Sequence, residues 1–264
     1  LSIAGSDNSA GAGIQADLKT MSALGVYGLT AVTCVVAEIP GKVSAIQGVE
    51  PAIVSEQIRL LFAAFPLAAI KTGMLYSPPI LEAVADALEE FRPKACNPPL
   101  VVDPVMVATS GDRLLQLEAV AVYETRLFPA ATVVTPNLDE ASALVNRSIR
   151  SRAEMREAGR QLVQRYGTAF LMKGGHLAED TAADLLVEVD GMETWFEAPF
   201  VRDVSTHGTG CTYSAAVASE LAKGESLPHA VAAAKRFVTR SVSSHLRWER
   251  GGVRVDALHH FAGR

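Results

Sequence analysis

Apolar and polar positions along this chain switch repeatedly between a period of two and a period near 3.6, and the switching predicts strands alternating with helices. Residues 1–4 read as the end of a buried strand. After a glycine-bearing loop, Ile14, Leu18, Met21 and Leu24 recur at helical spacing and leave Gln15, Asp17 and Lys19 on other faces. Residues 30–37 are β-branched and apolar throughout, which predicts a strand covered on both faces. Residues 43–49 form a short extended segment, a candidate flap, ahead of helix 53–65, whose Val54, Ile58, Leu61, Phe62 and Phe65 make one stripe.

The alternation continues through strand 68–72, helix 80–91, strand 100–103, helix 117–127 and strand 132–135. A short helix from Leu138, helix 153–166 and strand 169–173 follow. Residues 184–189 and 193–196 read as a hairpin about an Asp190-Gly191 turn, and helices 213–223 and 227–245 close the pattern. Strands alternating with helices of this length predict an α/β fold: a mostly parallel sheet with helices on both faces, in one domain spanning residues 1–264. The chain opens on strand-like residues without Met, so its first strand is expected to be truncated.

In such a sheet a ligand lies beyond the carboxyl ends of the strands. The residues following each strand are Gly5-Ser6-Asp7, Glu38, Lys71-Thr72-Gly73-Met74, Asp103-Pro104, Thr135-Pro136-Asn137 and Lys173-Gly174-Gly175-His176. The turn Gly208-Thr209-Gly210-Cys211 joins them. Carboxylates, lysines and glycines therefore converge on one rim, where they suggest a charged substrate with a metal.

The stretch from Ser205 to Thr212 puts two glycines and several hydroxyls ahead of a helix of small and apolar residues. The first N–H groups of a helix lack internal partners and lie at its positive end, a place that suits phosphate. Cys211 stands at the same spot, where a helix N-terminus favours the thiolate. A glycine turn capping a buried helix, with Cys211 as a small core residue, is the alternative. Asn137-Leu138-Asp139-Glu140 reads equally as a capping box and as an amide and carboxylate able to hold Mg²⁺ through its waters. Lys173 fits a charge-neutralising role beside a migrating phosphoryl group. His176 and His207 are expected to be loop hydrogen-bonders.

Composition narrows the choice of partner. The net charge is -5 and the pI about 5.7, which argues against nucleic acid. Apolar runs break before bilayer-spanning length, so no membrane partner is expected. Cys34, Cys96 and Cys211 have no paired or metal-like spacing, which predicts reduced thiols in the cytoplasm. Gly11-Ala12-Gly13-Ile14-Gln15-Ala16 matches a G-x-G-x-x-A dinucleotide fingerprint, the basis of a competing nicotinamide oxidoreductase reading. Residues 5–10 intervene between it and the first strand. No P-loop pattern occurs.

Ile3-Ala4-Gly5-Ser6-Asp7, the run from Gly11 to Thr20, Lys71-Thr72-Gly73-Met74-Leu75, Asp103-Pro104-Val105-Met106, Thr135-Pro136-Asn137, Met172 to His176 and Thr206 to Cys211 together resemble the hydroxymethylpyrimidine/phosphomethylpyrimidine kinases of the ribokinase-like superfamily. The resemblance implies a three-layer α/β/α fold, ATP with Mg²⁺, a homodimer, and two successive phosphorylations of an aminopyrimidine alcohol for thiamine biosynthesis. It makes Gly208, Thr209 and Gly210 an anion hole and Cys211 the residue that accepts or relays the substrate proton. Lys173 would face the transferring phosphate, with Thr206 on the nucleotide. Asn137 and Glu140 would meet Mg²⁺, with Asp103 in the same network. Asp17, Met74 and the loop from Gly5 to Gly13 would border the pyrimidine, with Glu38. The family usually has Gln at the position of Glu38, so a donor is lost here. Pyridoxal kinases of the same superfamily are the nearest alternative.

Overall fold

The computed structural model describes residues 1–105, 117–175, 177, 181–204 and 207–262. In chain order the elements are β1 (Ser2–Asp7), α1 (Gly13–Ala23), β2 (Thr30–Ile39), β3 (Lys42–Gly48), α2 (Pro51–Ala64), β4 (Ile70–Thr72), α3 (Pro78–Phe91), β5 (Leu100–Val102), α4 (Leu117–Val122), α5 (Phe128–Ala130), β6 (Val133–Val134), α6 (Leu138–Val145), α7 (Arg152–Tyr166), β7 (Ala169–Gly174), β8 (Thr181–Val187), β9 (Glu193–Pro199), α8 (Thr209–Ala222), α9 (Leu227–Ser243), β10 (Leu246–Arg250) and β11 (Val253–Ala257). A π-helical stretch, Tyr123–Leu127, joins α4 to α5. It lies just ahead of Pro129, which has no N–H to continue the regular ladder.

Nine strands form one sheet in the order β3-β2-β1-β4-β5-β6-β7-β8-β9. The six from β2 to β7 run parallel, and antiparallel β3 on one side and β8 and β9 on the other complete it. Successive side chains of a strand point to opposite faces, so the short central strands β5 and β6 are apolar at every position, whereas β4 carries the buried Lys71 and Thr72. Leu100, Val102, Val134, Phe170 and Met172 pack into the core beneath α2, α3, α6 and α7. Val101, Val133, Ala169 and Leu171 pack into a second core beneath α8 and α9. The sheet is thus sandwiched between two helical layers, as the alternation predicts.

Two expectations need correction. β2 is not covered on both faces: Val36 is buried, whereas Val35 is 54% exposed. Past Val36 its only paired strand is β3, so the pair leaves the layered part of the sheet as a ribbon. The antiparallel hairpin β10–β11, turning at Gly251-Gly252, was not foreseen. Most of its residues are exposed, and solvent-facing strands lack the apolar run that marks a core strand. No described helix is long and apolar enough to cross a membrane.

Candidate active site

The loop after β1 and the turn before α8 are built against each other. Gly208 has φ +81°, and a β-carbon there would lie 1.8 Å from the carbonyl oxygen of Gly11. Gly13 has φ +58°, with the Gly5 carbonyl oxygen 2.4 Å from its would-be β-carbon. Only glycine fits either place. The start of the fingerprint, Gly11, is therefore packed directly against the second turn. α8 begins at Thr209, earlier than its hydrophobic pattern suggests, so Thr209, Gly210 and Cys211 form its first turn. Thr212 N–H donates to the Gly208 carbonyl at 2.9 Å.

Beside this turn lies a cleft of about 470 Å³. At one end it is lined by Gly5, Glu38, Met74 and His207, with Val36, Val43 and Ile46 as an apolar wall from β2 and β3. At the other end stand Asp103, Asn137, Glu140 and Lys173, then Val238 and Val242 of α9. Gly208, Thr209, Gly210 and Cys211 lie between the two ends, and a β-carbon on Gly210 would stand 3.4 Å from Lys173 Nζ and 3.8 Å from Asp103 Oδ2. An ammonium and the first turn of a helix thus face the same space. Both attract a phosphoryl group.

Strand ends position this charge. Lys173 Nζ donates to Asp103 Oδ1 at 2.9 Å, Thr135 Oγ1 to the same oxygen at 3.2 Å, and Ser214 Oγ to Asp103 Oδ2 at 3.1 Å. Burial alone would raise the Asp103 carboxyl, but Lys173, followed by Lys71, holds it low. Burial likewise opposes the Lys173 charge and is outweighed by Asp103 and Glu140. Asp103 thus fixes Lys173 at the rim while itself lining the cleft. Asn137 and Glu140 form the capping box of α6: Asn137 N–H donates to Glu140 Oε2 at 2.8 Å and Glu140 N–H to Asn137 Oδ1 at 2.9 Å. The capping-box reading is therefore observed, and both residues also line the cleft.

At the opposite end, Asp7 accepts Ser9 N–H at 2.6 Å, Ala12 N–H at 2.8 Å and Gly11 N–H at 3.1 Å, and lies 3.3 Å from His207 Nε2. Burial opposes its ionisation, yet His207 and Ser9 bring its pKa down to about 2. The Glu38 carboxylate shares this corner, within 4.8 Å of Asp7 and His207. Burial, then Asp7, pushes Glu38 up, while its hydrogen-bonded neighbour Asp7, against the effect of burial, raises His207. Asn8 Oδ1 accepts the Glu38 N–H at 2.6 Å and fixes that strand end.

Two site expectations are overturned. Asp17 does not border the cleft: it is wholly buried on α1, where it accepts Lys71 Nζ at 2.9 and 3.1 Å and Ser2 Oγ at 2.5 Å. Its position four residues after Gly13 turns it inward under the glycine loop. The Cys211 thiol is not a ready thiolate. Burial pushes it up to about 11, and the opposing pull of Lys71 is itself countered by Asp17 and Asp103. Thr206, Met106 and His176 lie outside the described residues. Sequence reading also missed Lys71 as the partner of Asp17, and Ser214 as a donor to Asp103. Spacing held a clue for Ser214, one helical turn beyond Gly210, whose carbonyl its hydroxyl also reaches at 3.0 Å.

A glycine turn opposite a rim lysine, on a parallel sheet between two helical layers, places the chain in the ribokinase-like class of α/β/α kinases. The model of the phosphomethylpyrimidine kinase family matches residues 7–256, and the chain belongs to that family. It is 45% identical over 262 residues to the hydroxymethylpyrimidine/phosphomethylpyrimidine kinase of Rhizobium meliloti, covering 99% of this chain and 96% of that protein. It is 43% identical to the thiamine biosynthesis bifunctional protein ThiED of Geobacter sulfurreducens over 92% of this chain, which spans about half (48%) of that longer relative. Among solved structures, an ADP complex of Bacillus subtilis pyridoxal kinase superposes with a TM-score of 0.87 at 33% identity, covering 99% of this chain and 96% of that one.

Proposed function

We propose that this protein transfers the terminal phosphoryl group of ATP to 4-amino-5-hydroxymethyl-2-methylpyrimidine and then to its monophosphate. The observation that carries the reading is the Lys173 ammonium held at the Gly210 turn by Asp103. Phosphoryl transfer asks mainly for alignment and charge neutralisation, and this arrangement supplies a cation and helix N–H groups on one point. The apolar wall of Val36, Val43 and Ile46, next to Glu38, suits a flat ring with a polar edge. The wall beside Val238 and Val242 suits the nucleotide base.

The donor set fits Mg²⁺ held mostly through its waters: a buried carboxylate at Glu140 and an amide at Asn137, already fixed by each other. Mg²⁺ there would neutralise phosphate charge. Val35 and Ile39 are exposed apolar residues on β2, which supports pairing of two chains as a homodimer through this ribbon. Light scattering would test that.

A pyridoxal kinase is the competing reading, favoured by the superposition on the pyridoxal kinase fold and by a carboxylate at Glu38. ATP consumption with Mg²⁺ on the two alcohols decides between them. Higher kcat/KM on the aminopyrimidine is expected; a wide preference for pyridoxal defeats the assignment.

A further inference from the structure

A carboxylate and an unprotonated ring nitrogen are both acceptors, so the two can pair only through a proton that one of them carries. At the apolar-walled end of the cleft two carboxylates stand close together, and they differ in what they already hold. Asp7 is sealed and accepts the N–H groups of Ser9, Gly11 and Ala12 and the Ser9 hydroxyl, all from its own loop. Glu38 lines the cleft beside Val36, Val43 and Ile46. Its backbone N–H is bonded to Asn8, but among the described residues no donor is hydrogen-bonded to its carboxylate. The groups facing it are Asp7 from β1 and the ring of His207, both within 4.8 Å, and Lys42 from β3, with Cys34 further back on its own strand. His207 is engaged with Asp7 at 3.3 Å, and Lys42 is exposed. Glu38 is therefore the carboxylate at this end that is left to meet a ligand, and a half-buried carboxylate asks for donors.

We propose that Glu38 binds the aminopyrimidine together with one proton, one carboxylate oxygen receiving the exocyclic amine and the other the protonated ring nitrogen beside it. This rests on the aminopyrimidine reading of the substrate and adds the ionisation state in which that substrate is held. An amine and a neighbouring ring N–H make a parallel pair of donors, the pattern that a carboxylate accepts with both oxygens. The apolar wall of Val36, Val43 and Ile46 keeps water from one side of that ion pair and so strengthens it. Burial, then the Asp7 charge, already pushes Glu38 up, so the corner is short of positive charge, and an arriving cation meets that need. Above the ring's own pKa the free alcohol is neutral and must gain a proton to bind, so its affinity falls as pH rises, by up to about tenfold per pH unit. Below that pKa the free alcohol brings the proton with it, and the dependence vanishes.

The test is titration calorimetry of the full chain with 4-amino-5-hydroxymethyl-2-methylpyrimidine above the ring pKa, in two buffers of different ionisation enthalpy, which counts the protons taken up on binding. The parent is expected to take up about one proton and Glu38→Gln about none, because an amide offers a donor and an acceptor to the neutral ring. Over two pH units in this range the parent's Kd should rise by about a hundredfold, and that of Glu38→Gln by less than about threefold. His207→Gln shows whether the imidazole takes the proton instead, and uptake is expected to persist in that variant. No uptake by the parent, equal uptake by the parent and Glu38→Gln, or uptake abolished by His207→Gln each overturns the proposal. The count needs no phosphorylation, so the two readings fail separately. An alcohol that binds without taking up a proton and is then phosphorylated overturns only the role of Glu38, whereas an alcohol that does not bind overturns the substrate reading and this proposal with it.

Discussion

Two aspartate–lysine pairs sit at neighbouring strand ends, and they differ in what surrounds them. Lys71–Asp17 is sealed, both side chains at 0% exposure, with Ser2 as the only further donor to the carboxylate among the described residues. Lys173–Asp103 opens on the cleft, with 13% of the lysine side chain exposed. The same two residue types therefore stand differently: the open ammonium faces the cleft, whereas the sealed one is held away from it. Side-chain exposure, not residue type, separates the two pairs.

Breaking the open pair should cost activity first. Lys173→Met is expected to lower kcat by about 10³-fold on the accepted alcohol, since a cation meeting transferred charge is worth that order, with a smaller loss of stability than at the sealed pair because Asp103 keeps Thr135 and Ser214 as donors. Steady-state kinetics beside a urea titration read both, and a kcat within a few-fold of the parent would contradict the placement of Lys173.

Breaking the sealed pair should cost stability first. Lys71→Ala leaves Asp17 buried without its partner, a loss of about 3–5 kcal/mol in urea unfolding. Equal stability would mean that water reaches Asp17, and the contrast between the pairs would vanish.

A third measurement compares the sealed pair with the carboxylate at the far end of the cleft. Asp7 has its folded pKa depressed from 3.8 to about 2, so its stabilisation is complete above the unfolded value and is lost as pH falls toward the folded one. Asp7→Asn should therefore destabilise by about 1–2 kcal/mol near neutral pH, after discounting for partial solvation, with the gap closing below about pH 3. A gap that persists in acid would point to lost hydrogen bonds rather than charge.

The smallest effect is expected at Glu38. Glu38→Gln restores a donor and should shift the alcohol KM by about tenfold while the ATP KM stays within about twofold, the size of one hydrogen bond. Equal alcohol KM values for both forms across pH would remove Glu38 from the substrate contact.

The sequence by itself determined the layered α/β fold and the rim on which the chemistry stands. The central strand Leu100–Val102 is covered on both faces and apolar at every position, and that leaves a readable run. The Asn137–Glu140 capping box and the glycines at 208 and 210 were legible because local backbone geometry dictates them. Tertiary structure decided the rest. Asp17 follows the glycine loop in the chain, yet its partner Lys71 lies 54 residues away, and only packing shows that the two face inward together. The helix N-terminus suggested a thiolate at Cys211, but burial and the nearby carboxylates, which no local pattern reports, push that thiol up. Periodicity tells which residues leave water; it does not tell which charges they meet once inside, because those neighbours come from distant parts of the chain.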